Sequence, residues 1–127
     1  MATDNKRMRI LHVDDEQDTL TVVRTILENA GFEVVSVNRA RKAIKEITID
    51  GYDLLIFDIM MPDMSGWDLF TKIGKIKPDY KVMFLSILDI SPERLNELRQ
   101  AGVTDYVKKP FDLDDLVSRV NKAITTK

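Results

Sequence analysis

Residues 54–66 read Leu-Leu-Ile-Phe-Asp-Ile-Met-Met-Pro-Asp-Met-Ser-Gly, and this stretch decides the fold. Its apolar run, Leu54–Phe57, ends directly at Asp58, and a turn-rich loop containing Pro62 and Gly66 follows. Short apolar runs separated by helical patterns are typical of buried parallel strands. The stretch therefore predicts a strand, a loop and a helix, with Asp58 at the carboxyl end of the strand.

The same arrangement recurs along the chain. Four further runs are rich in apolar residues, at 10–13, 32–37, 82–85 and 103–107. Between the runs, apolar positions follow helical spacing. Gly31 and Gly102 supply helix ends, while Ser91 followed by Pro92 is a helix start. The sequence thus predicts an α/β fold of the (βα)5 type, one domain over 1–127 with its core at about 9–124.

Polar side chains with chemical potential follow four of the runs: Asp14 and Asp15 the first, Asp58 the third, Ser86 the fourth and Lys109 the fifth. In open α/β sheets, sites form outside the carboxyl ends of the strands. We therefore expect these side chains to converge. A carboxylate cluster with one hydroxyl and one ammonium group suits a divalent cation and a phosphoryl group.

Composition excludes several other classes of protein. The chain has 127 residues, 44% hydrophobic and 31% charged, which suits one globular domain with a real core. A net charge of −2 gives no basic field for nucleic acid or anionic membranes. The absence of cysteine removes disulfides and thiol chemistry. Without a membrane-length apolar stretch or a signal-peptide core, we expect a cytoplasmic location.

Most of the candidate site residues also have a purely structural interpretation, although helix capping does not explain Asp58, and Tyr106 could be an aromatic residue at the sheet edge. Asp14 or Asp15 alone could cap a helix, Ser86 could bond to backbone, and Lys109 could be a solvated surface lysine. The acidic cluster favours function, because two unit charges roughly 4 Å apart repel by about 4 kcal/mol at an effective dielectric of about 20. His12, inside the first run, is interpreted as a packed strand residue.

Together these residues resemble the receiver domain of two-component response regulators, over nearly the whole chain. The motifs that carry the resemblance are Asp14-Asp15, the stretch from Asp58 to Gly66, Ser86, and Tyr106 with Lys109-Pro110. The resemblance implies a flavodoxin-like parallel five-stranded sheet with strand order 2-1-3-4-5 and a site at the topological switch point.

The resemblance also assigns a role to each residue. Asp58 is the phosphoacceptor, and Mg²⁺ is bound by Asp15, Asp58 and the backbone carbonyl of Met60, with Asp14 in the outer shell. Lys109 and Ser86 contact the phosphoryl oxygens. Ser86 and Tyr106 form the switch, and the bond before Pro110 is cis, which aims the lysine inward.

The function expected from this resemblance is a phosphorylation-dependent signalling switch rather than an enzyme, with self-catalysed phosphorylation and slow autodephosphorylation. The donor is a histidine kinase or a histidine phosphotransfer protein. The fourth helix, fifth strand and fifth helix would be remodelled for a downstream protein partner or an output domain absent from this chain. A homodimer through the same surface is compatible with this reading.

Three alternatives to a phosphorylated receiver fit the sequence less well. They are a phosphatase, a flavin or nucleotide binder, and a receiver that is not phosphorylated. A phosphatase with an aspartyl phosphate usually has a second acid two residues after the nucleophile, but Met60 stands there. A flavin or nucleotide binder would need a glycine- or hydroxyl-rich loop after the first strand. This chain has Asp14-Asp15-Glu16 there. A degenerate receiver is disfavoured because each signature residue is present.

Ile87 departs from the family pattern, in which a small residue usually follows the conserved hydroxyl. Its branched side chain is stiff at χ1, and Leu88 and Met60 beside the site are also apolar. We expect Ile87 to act as an access gate, with slow entry of small phosphodonors and slow loss of phosphate. The alternative is that Ile87 packs into the core or a partner surface and leaves the site open.

Overall fold

The protein is described by a computed structural model that covers residues 7–49 and 51–126. Within them, strands and helices alternate along the chain. The strands are β1 (Arg9–Val13), β2 (Glu33–Val37), β3 (Leu54–Phe57), β4 (Val82–Ser86) and β5 (Val103–Lys108). The helices are α1 (Gln17–Asn29), α2 (Ala40–Ile49), α3 (Gly66–Ile76), α4 (Pro92–Gln100) and α5 (Leu113–Thr125).

The five strands form one parallel sheet in the order β2-β1-β3-β4-β5. This arrangement confirms the predicted (βα)5 fold and its strand order. Among the described residues, no helix is both long and apolar enough to cross a membrane.

The second strand begins one residue later than predicted, because Phe32 takes part in the hydrogen-bonded turn that follows α1. The N–H of Gly31 donates to the carbonyl of Glu28 at 3.0 Å, and the N–H of Phe32 donates to that of Leu27 at 3.0 Å. These two bonds form a Schellman motif, which needs a left-handed residue. Gly31 supplies it with a φ of 99°.

Apolar side chains cover both faces of the sheet. On one face, residues of α2, α3 and α4 pack on Leu11, Leu55 and Phe84. On the other, residues of α1 and α5 pack on Ile10 and Ile56. Strands covered on both faces are almost wholly apolar, which explains the uninterrupted runs in the sequence.

Strand register brings the functional run ends together. Val13 is the register partner of Phe57, and Phe57 is the partner of Phe84. The N–H of Asp58 donates to the carbonyl of Val13 at 3.0 Å, which holds the residues after β1 and β3 side by side. Ser86 pairs with Lys108 at the end of the next two strands.

Candidate functional site

Three carboxylates meet where β1 and β3 end. Asp14, Asp15 and Asp58 each offer one oxygen, and these oxygens all lie within 4.8 Å of one another. Asp14 is fully buried and Asp58 is only 5% exposed, whereas Asp15 is exposed. The cluster is therefore open to solvent on the side of Asp15. Its all-oxygen donor set fits a hard divalent cation such as Mg²⁺.

Lys109 supplies the positive charge of the cluster. Its ammonium nitrogen lies 2.7 Å from Asp14 Oδ2, 3.4 Å from Asp58 Oδ2 and 3.8 Å from Glu16 Oε1. Burial lowers the pKa of Lys109, but the hydrogen bond and charge of Asp14, with the charge of Asp58, outweigh burial and raise the pKa above its ordinary value. The lysine is thus held in its charged form.

The chain around Lys109 is shaped to point the side chain inward. Its backbone N–H donates to the carbonyl of Ser86 at 2.8 Å, which extends the pairing of β4 with β5 by one residue. The peptide bond from Lys109 to Pro110 is cis, the isomer that the resemblance implies. The side chain of Lys109 is only 9% exposed. Lys108, beside it, points outward and pairs with Asp89 at 2.5 Å.

The loop after β3 folds tightly around Asp58. The N–H of Met60 donates to Asp58 Oδ1 at 3.3 Å, and the N–H of Gly66 donates to the carbonyl of Ile59 at 2.8 Å. A Cβ atom on Gly66 would stand 2.3 Å from the carbonyl oxygen of Asp58. Because that contact is with backbone, only glycine fits at the start of α3.

Ser86 and Tyr106 meet at the backbone of Leu88. The buried hydroxyl of Ser86 accepts from the N–H of Leu88 at 3.4 Å, and the Tyr106 hydroxyl donates to the carbonyl of Leu88 at 2.5 Å. Tyr106 is 8% exposed, and burial is the main cause that raises its pKa. The segment after β4 is therefore attached to both proposed switch residues.

Three apolar side chains that closely follow Asp58 or Ser86 in the sequence are exposed, and we call them the apolar rim. Ile87 is 60% exposed, Met60 53% and Leu88 38%. The exposure of Ile87 rules out the reading in which its side chain packs into the core. The structure leaves two roles for Ile87, at the mouth of the site or in a partner surface.

His12 packs as expected but with unusual costs. It is fully buried, and within the described part of the chain neither ring nitrogen has a hydrogen-bond partner. Its register neighbour in β2 is Ser36, whose buried hydroxyl also has no partner among the described residues. Burial, with a smaller effect from the charge of Lys109, lowers the pKa of His12 to about 3. The imidazole is therefore neutral at ordinary pH.

The sequence interpretation missed Asp63, which connects the loop after β3 to another helix. Its Oδ1 accepts from the N–H of Ala40 at 3.2 Å, and its Oδ2 accepts from the N–H of Arg41 at 3.1 Å. Desolvation is the largest single effect and raises the pKa of Asp63, but the N–H groups of Arg41 and Ala40, with the backbone of Asp63 itself and the charge of Arg39, together lower it. The sequence signal was indirect, since the residue before α2 is Arg39, which cannot cap a helix with its side chain.

Comparison with known proteins agrees with this geometry. Residues 10–121 match the family model described as the response regulator receiver domain. The response regulator SaeR of Staphylococcus aureus is 34% identical over 116 residues, which cover 91% of this chain and 50% of SaeR. The chain therefore spans about half the length of the curated relatives it matches.

Two solved structures share the fold at similar identity. A CheY-like response regulator receiver domain protein from Methanospirillum hungatei superposes with a TM-score of 0.85 at 31% identity, covering 94% of both chains. The response regulator TrrA of Thermotoga maritima, solved in complex with Mg²⁺ and BeF, gives 0.79 at 32% identity, covering 91% of this chain and 98% of TrrA. The chain belongs to the response regulator receiver domain family of two-component systems, whose members are signalling switches.

Proposed function

We propose that Asp58 accepts a phosphoryl group from a histidine kinase or a histidine phosphotransfer protein. The observation that carries this proposal is how differently Asp14 and Asp58 are bonded. Asp14 is fully buried, with Oδ1 taken by the N–H of Glu16 at 3.0 Å and Oδ2 by Lys109 at 2.7 Å. The two bonds of Asp58 are longer, 3.3 and 3.4 Å, so its oxygens are freer to react.

The chemistry is a phosphoryl transfer between two proteins. A carboxylate oxygen of Asp58 forms a bond to phosphorus as the phosphorus–nitrogen bond of the donor's phosphohistidine breaks. The imidazole nitrogen leaves with that electron pair and is available for protonation by solvent. The product is an acyl phosphate on Asp58. Lys109, already charged beside Asp58, offsets the charge of the transferred group.

A divalent cation fits the same site. Asp15 and Asp58 would bind Mg²⁺ directly, together with the backbone carbonyl of Met60, and Asp14 would act from the outer shell. When bound, the ion neutralises charge on the phosphoryl oxygens. The proposal is supported by three carboxylate oxygens within 4.8 Å of one another and by the Mg²⁺ complex of TrrA.

The proposed output is a change of surface on α4, β5 and α5. Ser86 would turn toward the new phosphoryl group, and Tyr106 would follow into the space that Ser86 leaves. Both are attached to Leu88, so movement of one alters the hydrogen bonds of the other. The partner would be a downstream protein, an output domain or a second copy of this chain. No nucleic-acid contact is proposed for this acidic domain.

Ile87 is proposed as the access gate. Its exposed branched side chain, with the apolar side chains of Leu88 and Met60, would slow the entry of small phosphodonors. The same rim offers no polar group to orient an attacking water, so hydrolysis of the acyl phosphate would also be slow. A phosphatase fits this site less well than a signalling receiver, because Met60 occupies the position where such enzymes place their second acid.

The test is the intact mass of the chain after incubation with acetyl phosphate or phosphoramidate and Mg²⁺. The wild-type chain is expected to gain one phosphoryl group, and Asp58→Asn none. Asp79→Asn, at an exposed aspartate away from the site, is the matched control and should gain one group. Equal modification of Asp58→Asn and the wild-type chain would refute the assignment.

A further inference from the structure

The residue at the N-cap position of helix α2 has a side chain that cannot cap the helix. The carbonyl of Arg39 accepts from the N–H of Ala43 at 3.3 Å, so Arg39 occupies the N-cap position. Helix N-caps are usually serine, threonine, aspartate or asparagine, whose side chains accept from the first free N–H groups. Arginine carries only donors. The first N–H groups of α2 therefore need an acceptor from elsewhere in the chain.

Asp63 provides that acceptor from another loop. Its two carboxylate oxygens accept separately from the N–H groups of Ala40 and Arg41, at 3.2 and 3.1 Å. The partners are separated by 23 and 22 residues along the chain. A negative charge at a helix N-terminus is also favoured by the helix dipole, and Arg39 adds an attractive positive charge.

These bonds hold the loop that presents the phosphoacceptor. The loop starts at Asp58, whose N–H is fixed to Val13, and it closes where the N–H of Gly66 donates to Ile59. Between those two points, Asp63 ties the middle of the loop to α2. Among the described residues, these are the hydrogen bonds that join this part of the loop to another helix. Met60, the proposed carbonyl ligand, lies between the first anchor and Asp63.

We propose that Asp63 is a positioning residue that holds the loop after β3 against α2, so that the Met60 carbonyl and the Asp58 carboxylate face one Mg²⁺ ion. The inference rests on the proposed function of the site. Asp63 would not touch the cation itself. It acts by lowering the freedom of the loop before the ion binds, so that less ordering is needed on binding.

The experiment measures the Mg²⁺ dissociation constant of the 127-residue chain by calorimetry, with the fluorescence of Trp67 as an independent readout. Asp63→Ala is expected to weaken Mg²⁺ binding about tenfold, the low end of the effect of outer-sphere partners on metal affinity. Ser91→Ala is the matched control, because Ser91 caps α4 by accepting from the N–H of Arg94 at 3.1 Å. It should leave Mg²⁺ binding within about twofold.

A double variant separates positioning from helix stability. Arg39→Ser in the Asp63→Ala chain gives α2 a cap of its own while the loop stays untied. Urea unfolding without Mg²⁺ should show that the double variant regains the free energy of unfolding lost in Asp63→Ala. The Mg²⁺ dissociation constant, in contrast, should stay about tenfold larger than that of the wild-type chain. The rate of modification by acetyl phosphate should show a matching shift in half-saturating Mg²⁺ but an unchanged maximum.

The outcomes distinguish this inference from the proposed function. If the wild-type chain binds no Mg²⁺ and accepts no phosphoryl group, the proposed function fails. If the wild-type chain binds Mg²⁺ and Asp63→Ala binds it equally well, only the positioning role is overturned. Recovery of Mg²⁺ affinity in the double variant would likewise reduce Asp63 to a helix cap.

Discussion

Lys109 bonds more closely to Asp14, at 2.7 Å, than to Asp58, at 3.4 Å. The lysine therefore neutralises first the carboxylate that is fully buried and that we do not expect to react. This preference leaves Asp58 only loosely held. A phosphoryl group arriving on Asp58 would compete with Asp14 for the ammonium group, and the ion pair would then take part in the proposed switch.

Removal of the lysine charge should destabilise the chain. In Lys109→Met, Asp14 would be left buried and unpaired, and removal of one partner of a buried ion pair costs about 3 kcal/mol or more. Lys108→Met is the neighbouring control. Its partner, Asp89, is highly exposed, so the loss should stay below about 1 kcal/mol. Urea unfolding at pH 7 measures both, and equal losses would contradict the buried role of Lys109.

The same variant predicts an alkaline dependence. Because the folded chain raises the pKa of Lys109, its stabilisation is complete below the unfolded value of about 10.4 and is lost as pH rises through the folded value. The stability difference between wild type and Lys109→Met should therefore narrow above about pH 10.4. A difference that stays constant to higher pH would count against this linkage.

Mg²⁺ should stabilise the chain through Asp15. At ten times the dissociation constant, binding adds about 1.4 kcal/mol to the free energy of unfolding. Asp15→Asn removes one ligand and one repelling charge, so it should bind Mg²⁺ more weakly yet be no less stable without it. Asp18→Asn, an exposed residue in the first turn of α1, is the control. If the melting temperature of the wild-type chain is the same with and without Mg²⁺, the metal assignment is refuted.

His12 should make the chain sensitive to mild acid. Its pKa falls from 6.5 to about 3 on folding, so its contribution is present above about pH 6.5 and is lost as pH falls toward the folded value. The loss due to His12 between pH 7.5 and 5 should be about 2 kcal/mol. Urea unfolding of wild type and His12→Leu at both pH values isolates it, and an identical pH response in the two chains would contradict the prediction.

Trimming the gate should speed both reactions of the site. Ile87→Ala is expected to raise the rate of phosphorylation by acetyl phosphate and the rate of spontaneous dephosphorylation, because both need access past the same side chain. Ile76→Ala, at an exposed position in the last turn of α3, is the control for loss of surface apolar area. Unchanged rates in Ile87→Ala would contradict the gate and leave Ile87 with a role in a partner surface.

The sequence could predict the parts of the structure that depend on short segments. The apolar runs predict the strands, and because parallel strands end at one edge of a sheet, they also predict that Asp14, Asp15 and Asp58 lie close together. The end of α1 was predictable from Gly31 for the same reason, since its left-handed backbone is a local requirement. The error at Phe32 arose because an apolar residue suits either a Schellman motif or a strand.

Long-range pairings could not be predicted. Lys109 lies 2.7 Å from Asp14, which is 95 positions away along the chain, and 3.4 Å from Asp58, which is 51 positions away. Sequence patterns do not resolve which of the two carboxylates comes closer. The capping of α2 by Asp63 joins two loops whose approach is fixed only by packing. Within the described residues both ring nitrogens of His12 lack a hydrogen-bond partner, and the pattern of one strand does not reveal which groups surround a buried side chain.

The contact distance at Gly66 has a practical use in designing signalling-dead variants. Substitution of Asp58 removes the proposed phosphoacceptor itself, so such a variant cannot separate reactivity from geometry. Gly66→Ala would retain every proposed site side chain. Its methyl group would push away the backbone of the loop, because the carbonyl oxygen of Asp58 stands 2.3 Å and the Cα atom of Ile59 2.9 Å from the position it would occupy. One added carbon atom would then give a control chain of unchanged charge, in which every proposed site side chain is present but the backbone that positions Asp58 is displaced.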